Sequence, residues 1–288
     1  MEAPSRDALM RALAPSHVFQ PATLLWRVFE IEAILRHARL RGQGVDVGCG
    51  DGELARVVFD AMATRPVAIG VDPDASDHAL AERSATYVRV HRTTGDAIPE
   101  PSASMDFVFS NSTLEHIPDV DAVLVEAARL LKPGGQFLFT VPSEEFHACL
   151  RGSLLLGAIA RARGRTYRER IDERVAHLTY RSPGAWAAAL GPLGLEVTSS
   201  VRYFPRVAVR AWERISNATS GLLYEAFDGR RSTRTIQSGL GLSRRRDGPA
   251  AALVLRLLRL LARDALRAEV RGGEPSGGLL VLARRAPA

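Results

Sequence analysis

The chain has 288 residues, 46% of them hydrophobic and 24% charged, a balance that can build a core and excludes disorder over most of the length. Two cysteines, Cys49 and Cys149, exclude a disulfide framework, and without a CxxC or Cys/His spacing no metal site is expected. The net charge of +6 is unevenly divided: residues 1–141 carry 13 Lys/Arg against 19 Asp/Glu, and residues 142–288 carry 25 against 13.

An acidic front half joined to a basic back half suggests two surfaces with different tasks. The cysteine usage fits a reducing, cytoplasmic setting, and residues 1–15 lack the uninterrupted apolar stretch of a signal peptide. Residues 1–43 read as a helical segment. It ends in an amphipathic run from Ala22 to Arg41, with Trp26, Phe29, Ile34 and Leu35 as the apolar stripe and Arg27, Glu30, Arg36 and Arg39 outside it.

From Gly44 the pattern alternates. Strands are expected at Val45–Val47, Val67–Val71, Tyr87–Val90, Met105–Ser110 and Gln136–Val141. Helices are expected between them at Glu53–Ala63, at Asp74–Arg83 with Asp74 as N-cap, and at Asp119–Leu131, stopped by Lys132-Pro133-Gly134-Gly135. Such alternation predicts right-handed βαβ units. The expected fold is α/β: a Rossmann-like, seven-stranded, doubly wound sheet with N-terminal helices and a helical insertion before the last strand. Its core spans 44–203, with a substrate-lid insertion at 142–181 that holds a helix-like stretch at Ala148–Ala162. A helix at Ser182–Leu190 and a strand at Leu195–Val201 follow. Residues 204–276 form a basic helical insertion, and 277–288 supply the last strand, Gly278–Ala283, and a tail.

The segment Val45-Asp46-Val47-Gly48-Cys49-Gly50-Asp51-Gly52 sits between a strand and a helix, where glycines permit a sharp turn and close approach of a ligand. Its spacing is GxGxG, so the dinucleotide fingerprint GxGxxG is not met, and no phosphate-gripping GxxxxGK loop is present. Asp72 ends the second strand, where a carboxylate can accept from ribose hydroxyls or cap the next helix. Asp46, inside the first strand, needs either backbone amides or a cationic ligand group to offset its burial.

These motifs resemble class I S-adenosylmethionine (SAM)-dependent methyltransferases. VDVGCGDGELA (45–55) resembles the family's first motif, GVD (70–72) its acidic second motif, and GDAIP (95–99) its adenine-holding turn. The stretch MDFVFSNSTLEHIPDVDAVLVEAARLLKPGGQFLFTVP (105–142) is similar to the fourth strand, following helix and fifth strand of the small-molecule, type 11-like subgroup. The resemblance implies SAM as cofactor. Gly48, Cys49, Gly50 and Gly52 would line its methionine part, with Asp46 near the ammonium. Asp72 would hold the ribose, Asp96 and Ala97 the adenine, and Asn111 would face the sulfonium. The segment from Asp96 to Asp106 is shorter than is usual in the family, and beyond residue 142 the likeness thins to general features.

Ligands of open parallel sheets sit beyond the strands' carboxyl ends, so residues 111–116 and 143–147 should border the acceptor. His116 is the preferred base for a hydroxyl acceptor; its plain alternative is a side chain that braces the next helix. His177 and Tyr180 form a second pair, in a segment that resembles the lid of related enzymes. The alternative for His177 is a hydrogen bond to a loop carbonyl.

In the basic half, Arg256, Arg259, Arg263, Arg267 and Arg271 recur at helical spacing opposite Leu253, Leu257, Leu260, Leu261 and Ala268. Such a helix packs on its own sheet with arginines in water, or lies on the anionic inner face of a membrane as a peripheral contact. Leu154–Ala160, flanked by Arg151 and Arg161, adds a second apolar run, and neither is long enough to span a bilayer. Arg244-Arg245-Arg246 could meet nucleic-acid phosphates, but stacking aromatics and a recognised motif are lacking, so nucleic acid is disfavoured. The expected function is methyl transfer from SAM to a small molecule, at oxygen, with a lipid-linked or apolar acceptor in view. Alternatives are a non-catalytic SAM-binding scaffold or sensor and an NAD(P)-dependent oxidoreductase. The oligomeric state is not legible.

Overall fold

The computed structural model describes residues 4–62, 65–227, 236, 239–240 and 246–287. Seven strands form one sheet: β1 (Gln43–Val47), β2 (Val67–Val71), β3 (Arg89–His91), β4 (Met105–Asn111), β5 (Leu131–Pro142), β6 (Leu195–Pro205) and β7 (Ser276–Arg285). Their order is β3-β2-β1-β4-β5-β7-β6. The first five run parallel, while β7 enters antiparallel between β5 and β6. The topology reverses between β1 and β4, and that switch point is where an open α/β sheet offers a crevice.

The sheet is buried on both faces, as parallel sheets must be. Phe107 and Phe109 of β4 and Leu138 of β5 face one side, against α1 (Arg6–Leu13), α2 (Pro21–His37), α3 (Glu53–Asp60), α10 (Arg206–Ala218), α12 (Pro249–Leu261) and α13 (Arg263–Arg267). Val108, Phe137 and Phe139 face the other, against α5 (Val120–Leu130) and α9 (Pro183–Leu190). The remaining helices are α4 (Ala75–Arg83), α6 (Phe146–Cys149), α7 (Leu154–Ala162), α8 (Tyr167–Val175) and α11 (Ser220–Ala226). The expected sheet and the expected N-cap are present, with Asp74 accepting from the amides of Ser76 and Asp77; Asp119, read as the first residue of its helix, instead caps it by accepting from the amide of Ala122.

Several local expectations are corrected. Glu30 is fully buried and Arg27 mostly so, because α2 is apolar nearly all round (Leu24, Leu25, Val28 and Ile31 are also inside) and is covered on more than one side. The stretch 148–162 is not one helix; Leu150–Ser153 breaks it, with Ser153 capping α7. The third strand is Arg89–His91, displaced from Tyr87–Val90. Strand β5 begins at Leu131, so Lys132-Pro133-Gly134-Gly135 both stops α5 and enters the sheet beside an irregular register near Met105. On α12 and α13 the buried face is Ala251, Leu258, Ala262 and Ala265, while Leu253, Leu257, Leu260 and Leu261 are exposed. Leu253, Leu257, Leu260 and Leu261 are therefore not the face that packs. Among Arg244, Arg245 and Arg246, the first two lie outside the described residues; Arg246 stacks over Phe19.

Candidate functional site

At the carboxyl ends of β1, β2 and β4 lies a cavity of about 1050 Å³. That is at the upper end of the roughly 300–1,000 Å³ typical of a ligand pocket, and leaves room for a cofactor and a second molecule. The glycine turn makes one wall. Gly48, Gly50 and Gly52 all have positive φ (76°, 54° and 79°), a backbone region that costs side-chain-bearing residues energy. A Cβ on Gly48 would also lie 2.2 Å from Thr113 Cγ2. The turn is pinned by Gly48 N and Cys49 N, which donate to Val71 O at 2.8 and 3.0 Å.

Asp72 takes Gly50 N at 2.9 Å on Oδ2 and Asp74 N at 2.9 Å on Oδ1. It therefore ties the glycine turn to the end of β2 while lining the cavity; the helix cap itself is Asp74. Asp46 is buried beneath the turn and accepts from the Tyr87 hydroxyl at 2.6 Å. Burial pushes its carboxyl up to about 7, with Asp72 adding to the rise and the Tyr87 bond opposing it. The site thus holds a carboxyl group that a nearby cation would ionise. Cys49 is buried in the wall, and burial raises its thiol far out of the reactive range. Asp96 lines the cavity beside Thr94 and Gly95, whereas Ala97 is exposed outside the lining.

Opposite the glycines, Asn111 ends β4. Its Nδ2 donates to Thr140 Oγ1 at 2.7 Å and its Oδ1 accepts from Arg27 at 3.2 Å. Both partners belong to a network centred on Glu30. Oε1 of Glu30 accepts from Ser112 Oγ (2.5 Å), Thr140 Oγ1 (2.8 Å) and the Tyr203 hydroxyl (3.1 Å), and Oε2 pairs with Arg27 at 2.5 Å. Burial works against this charge, but Arg27 and the hydroxyl donors outweigh it and hold the carboxyl below its usual range. Ser112, at φ 44°, is kept in a left-handed conformation by this network and by its amide bond to Thr140 O. Sequence reasoning missed Arg27, Glu30, Thr140, Tyr87 and Tyr203. Only the apolar residues flanking Glu30 on α2 hinted that it is buried.

His116 and His177 line another part of the cavity. His116 Nδ1 lies 2.8 Å from Ala176 O, which selects the tautomer with the proton on Nδ1 and acceptor character on Nε2, the atom facing Glu115 Oε1 at 3.8 Å. Glu115 is buried; burial pushes its carboxyl up to about 8, and its Oε2 has no hydrogen-bond partner among the described residues. His177 and Tyr180, expected as a pair, are bonded to each other at 2.9 Å. Tyr180 in turn donates to Asp172 Oδ1 at 2.5 Å, and Asp172 also meets His147 at 2.8 Å. Burial, reinforced by His116 and His147, holds His177 neutral. The structure thus joins His116, His177 and Tyr180 into one cluster. Glu115, His116 and His177 also bring one ligand atom each within 4.8 Å of one another, a geometry able to hold a metal ion. Spacing alone could not reveal it, because His177 arrives from a distant segment through Leu178 N, which donates to Glu115 O at 2.8 Å. Trp26, Phe146 and Trp212 complete an aromatic wall, with ring centroids 5.5–6.4 Å apart.

Residues 27–200 match the family model described as a methyltransferase domain. The chain is similar to the ubiquinone biosynthesis O-methyltransferase of Paracidovorax citrulli, at 36% identity over 145 residues, which cover 47% of this chain and 56% of that protein. The protein of the same name from Azotobacter vinelandii is 31% identical over 188 residues, covering 62% and 73%. That of Pseudomonas putida (strain GB-1) is 33% identical over 133 residues, covering 44% and 53%. The match thus spans about half the length of the Paracidovorax and Pseudomonas relatives. Among solved structures, a SAM-dependent methyltransferase of Thermotoga maritima aligns with TM-score 0.53 and 15% identity over 93% of this chain and 92% of that one. The cyclase SpnF aligns with TM-score 0.55 and 13% identity over 100% and 99%. At such identities the likeness shows the fold alone, and a fold hosts more than one chemistry.

Proposed function

The chain belongs to the methyltransferase-domain family, and from that membership we propose that it transfers the methyl group of SAM to an oxygen of a small-molecule acceptor. The observation that carries this reading is the positive-φ glycine turn tied by Asp72 and opening into an aromatic-walled cavity. SAM supplies an activated methyl on a sulfonium, so the protein's work is alignment, exclusion of water and removal of a proton. Gly48, Cys49, Gly50 and Gly52 receive the amino-acid end, and Asp46 becomes a carboxylate opposite its ammonium. Asp72 accepts from the ribose, Asp96 borders the adenine while Ala97, exposed outside the lining, does not, and Asn111, oriented by Arg27 and Thr140, faces the sulfonium.

His116 takes the proton of the acceptor hydroxyl on Nε2, with Ala176 O fixing the tautomer. His177 and Tyr180 position it and shape the lid. The products are S-adenosylhomocysteine and a methyl ether. Transfer to oxygen is supported by the names of the relatives in Paracidovorax and Azotobacter, and an apolar or lipid-linked acceptor by the aromatic wall.

A peripheral contact of the basic half with an anionic membrane at the cytoplasmic face is proposed on one observation. Leu253, Leu257, Leu260 and Leu261 are exposed on the helices that also expose Arg256, Arg259, Arg263 and Arg267. Among the described residues no helix is long and apolar enough to cross a membrane. The test is release of S-adenosylhomocysteine from SAM across a panel of phenol and catechol acceptors, bare and prenylated. Acceptor-dependent release supports the reading. SAM binding with no release for any acceptor favours the non-catalytic sensor, and nicotinamide binding without SAM binding favours the oxidoreductase.

A further inference from the structure

Helix α8 turns two arginines inward, and among the described residues only one of them is paired with an acid. Arg170 Nε pairs with Glu225 at 2.6 Å. Arg174, with 0% of its surface exposed, spends Nη1 on Ser216 O at 3.2 Å and stacks 5.6 Å from the ring of Trp212. Among the described residues, its Nε and Nη2 have no hydrogen-bond partner. The neighbouring acid, Glu213, is fully engaged: Oε2 accepts from Arg151 N at 2.8 Å, and Oε1 from Gly152 N at 2.9 Å and the Tyr167 hydroxyl at 2.8 Å. Glu225 is shared between Arg170 and Arg163. Burial and the adjacent Arg170 press the Arg174 guanidinium down to about 10, the mark of a cation lacking its counter-charge.

A buried guanidinium with idle donors is costly unless something pairs with it. Nε and Nη2 share the outer edge of the planar fork, the edge that takes a carboxylate or phosphate through two parallel bonds. Arg174 lines the same cavity as Glu115, His116 and His177, next to Ser216, Thr219 and Ser220. We propose that Arg174 is an anion subsite of the acceptor pocket, so that the acceptor carries an oxyanion, a carboxylate or a phosphate, beside the apolar body held by Trp26, Phe146 and Trp212. The idle edge is closed to water. Seating the anion therefore moves the side chains around it and exchanges hydration for two charge-assisted bonds in a dry environment, where such bonds are strongest. This inference rests on the methyltransferase reading, whose pocket it completes.

The test titrates the full chain, saturated with S-adenosylhomocysteine, with benzoate and separately with inorganic phosphate at constant ionic strength. Saturable binding of at least one is expected, weakened tenfold or more by Arg174→Gln and by Arg174→Lys, which keeps the charge but loses the fork. Benzoate alone assigns a carboxylate, and phosphate alone a phosphorylated acceptor. Should both variants fail to fold, Gly221→Ala serves instead: its Cβ would lie 2.9 Å from Arg174 Nη1 and push the guanidinium out of place. No saturable binding of either anion, or undiminished binding in the variants while S-adenosylhomocysteine still binds, overturns the subsite. Failure of S-adenosylhomocysteine to bind the wild-type chain overturns the methyltransferase reading itself, and the subsite with it.

Discussion

The Tyr87 hydroxyl reaches from the approach to β3 across to β1 and donates to Asp46 Oδ2 at 2.6 Å. This bond favours the ionised carboxyl, while burial and the neighbouring Asp72 favour the neutral one, leaving the group near pH 7. A ligand ammonium tips the balance to carboxylate. SAM affinity should therefore fall as pH drops from 8 to 6, and Tyr87→Phe should steepen the fall and lower affinity at pH 7 by about tenfold, equivalent to ~1.4 kcal/mol. Calorimetric titration at three pH values measures both. Flat affinity across that range would remove Asp46 from the ammonium site.

The same carboxyl carries a stability cost. Its native pKa lies above the ~3.9 of an unfolded aspartate, so between about pH 4 and 7 the native state holds a proton that the unfolded chain has lost. The contribution to stability falls as pH rises through that window. Asp46→Asn should then stabilise the ligand-free protein at pH 8 by about 1–3 kcal/mol, with the gain vanishing near pH 4, while SAM binding weakens. Thermal melts at the two pH values test the sign.

Glu30 holds α2 to the ends of β4 and β5, and its loss strands Arg27 in the wall. Glu30→Ala should cost about 3–5 kcal/mol, the range for breaking a buried pair from one side. Urea unfolding reads this directly. A loss under ~1 kcal/mol would mean that water replaces the carboxylate.

Replacing His116 separates chemistry from binding. His116→Ala should lower turnover about 10²–10⁴-fold and leave the SAM dissociation constant within about twofold, since Nδ1 is bonded to the Ala176 carbonyl rather than to the glycine turn. Full activity in the variant would transfer the proton to another group. If instead a chelator abolishes turnover of the wild-type protein and added Zn²⁺ or Mn²⁺ restores it, Glu115, His116 and His177 act as metal ligands.

Reversing the charge at Arg256, Arg263 and Arg267 should abolish co-sedimentation with anionic vesicles and leave neutral vesicles unaffected. Equal recovery with both lipid types in the wild-type chain would return these helices to a purely structural role.

How far the sequence could be read follows from how far apart the cooperating residues lie. Strand β2 and the N-cap Asp74 depend on neighbours within a few residues, and they were legible from turn chemistry and periodicity. The glycine turn was legible as a turn, but GxGxG alone did not separate a ligand loop from a structural one; Asp46, Asp72 and the ordered motifs around them pointed to a ligand. Glu30, Thr140 and Tyr203 were not legible, since their hydrogen bonds join residues as much as 173 positions apart. The polar side of α2 was misassigned because two charges at helical spacing resemble a solvated face until the whole apolar circumference is counted. Helix α8 was missed although Thr166 and Glu169 form a capping box; the surrounding arginines masked that signal. Arg174 could not be singled out at all, as its meaning lies in the partners it lacks.

Whether this cavity is a SAM site is tested most directly by calorimetric titration of the purified chain with SAM, beside Asp72→Ala and with NADP⁺ as a control. Saturable SAM binding, a loss of about tenfold or more in Asp72→Ala, and no binding of NADP⁺ are expected. A well-folded protein that ignores SAM, or binds it equally well without the Asp72 carboxylate, would contradict the assignment of this cavity.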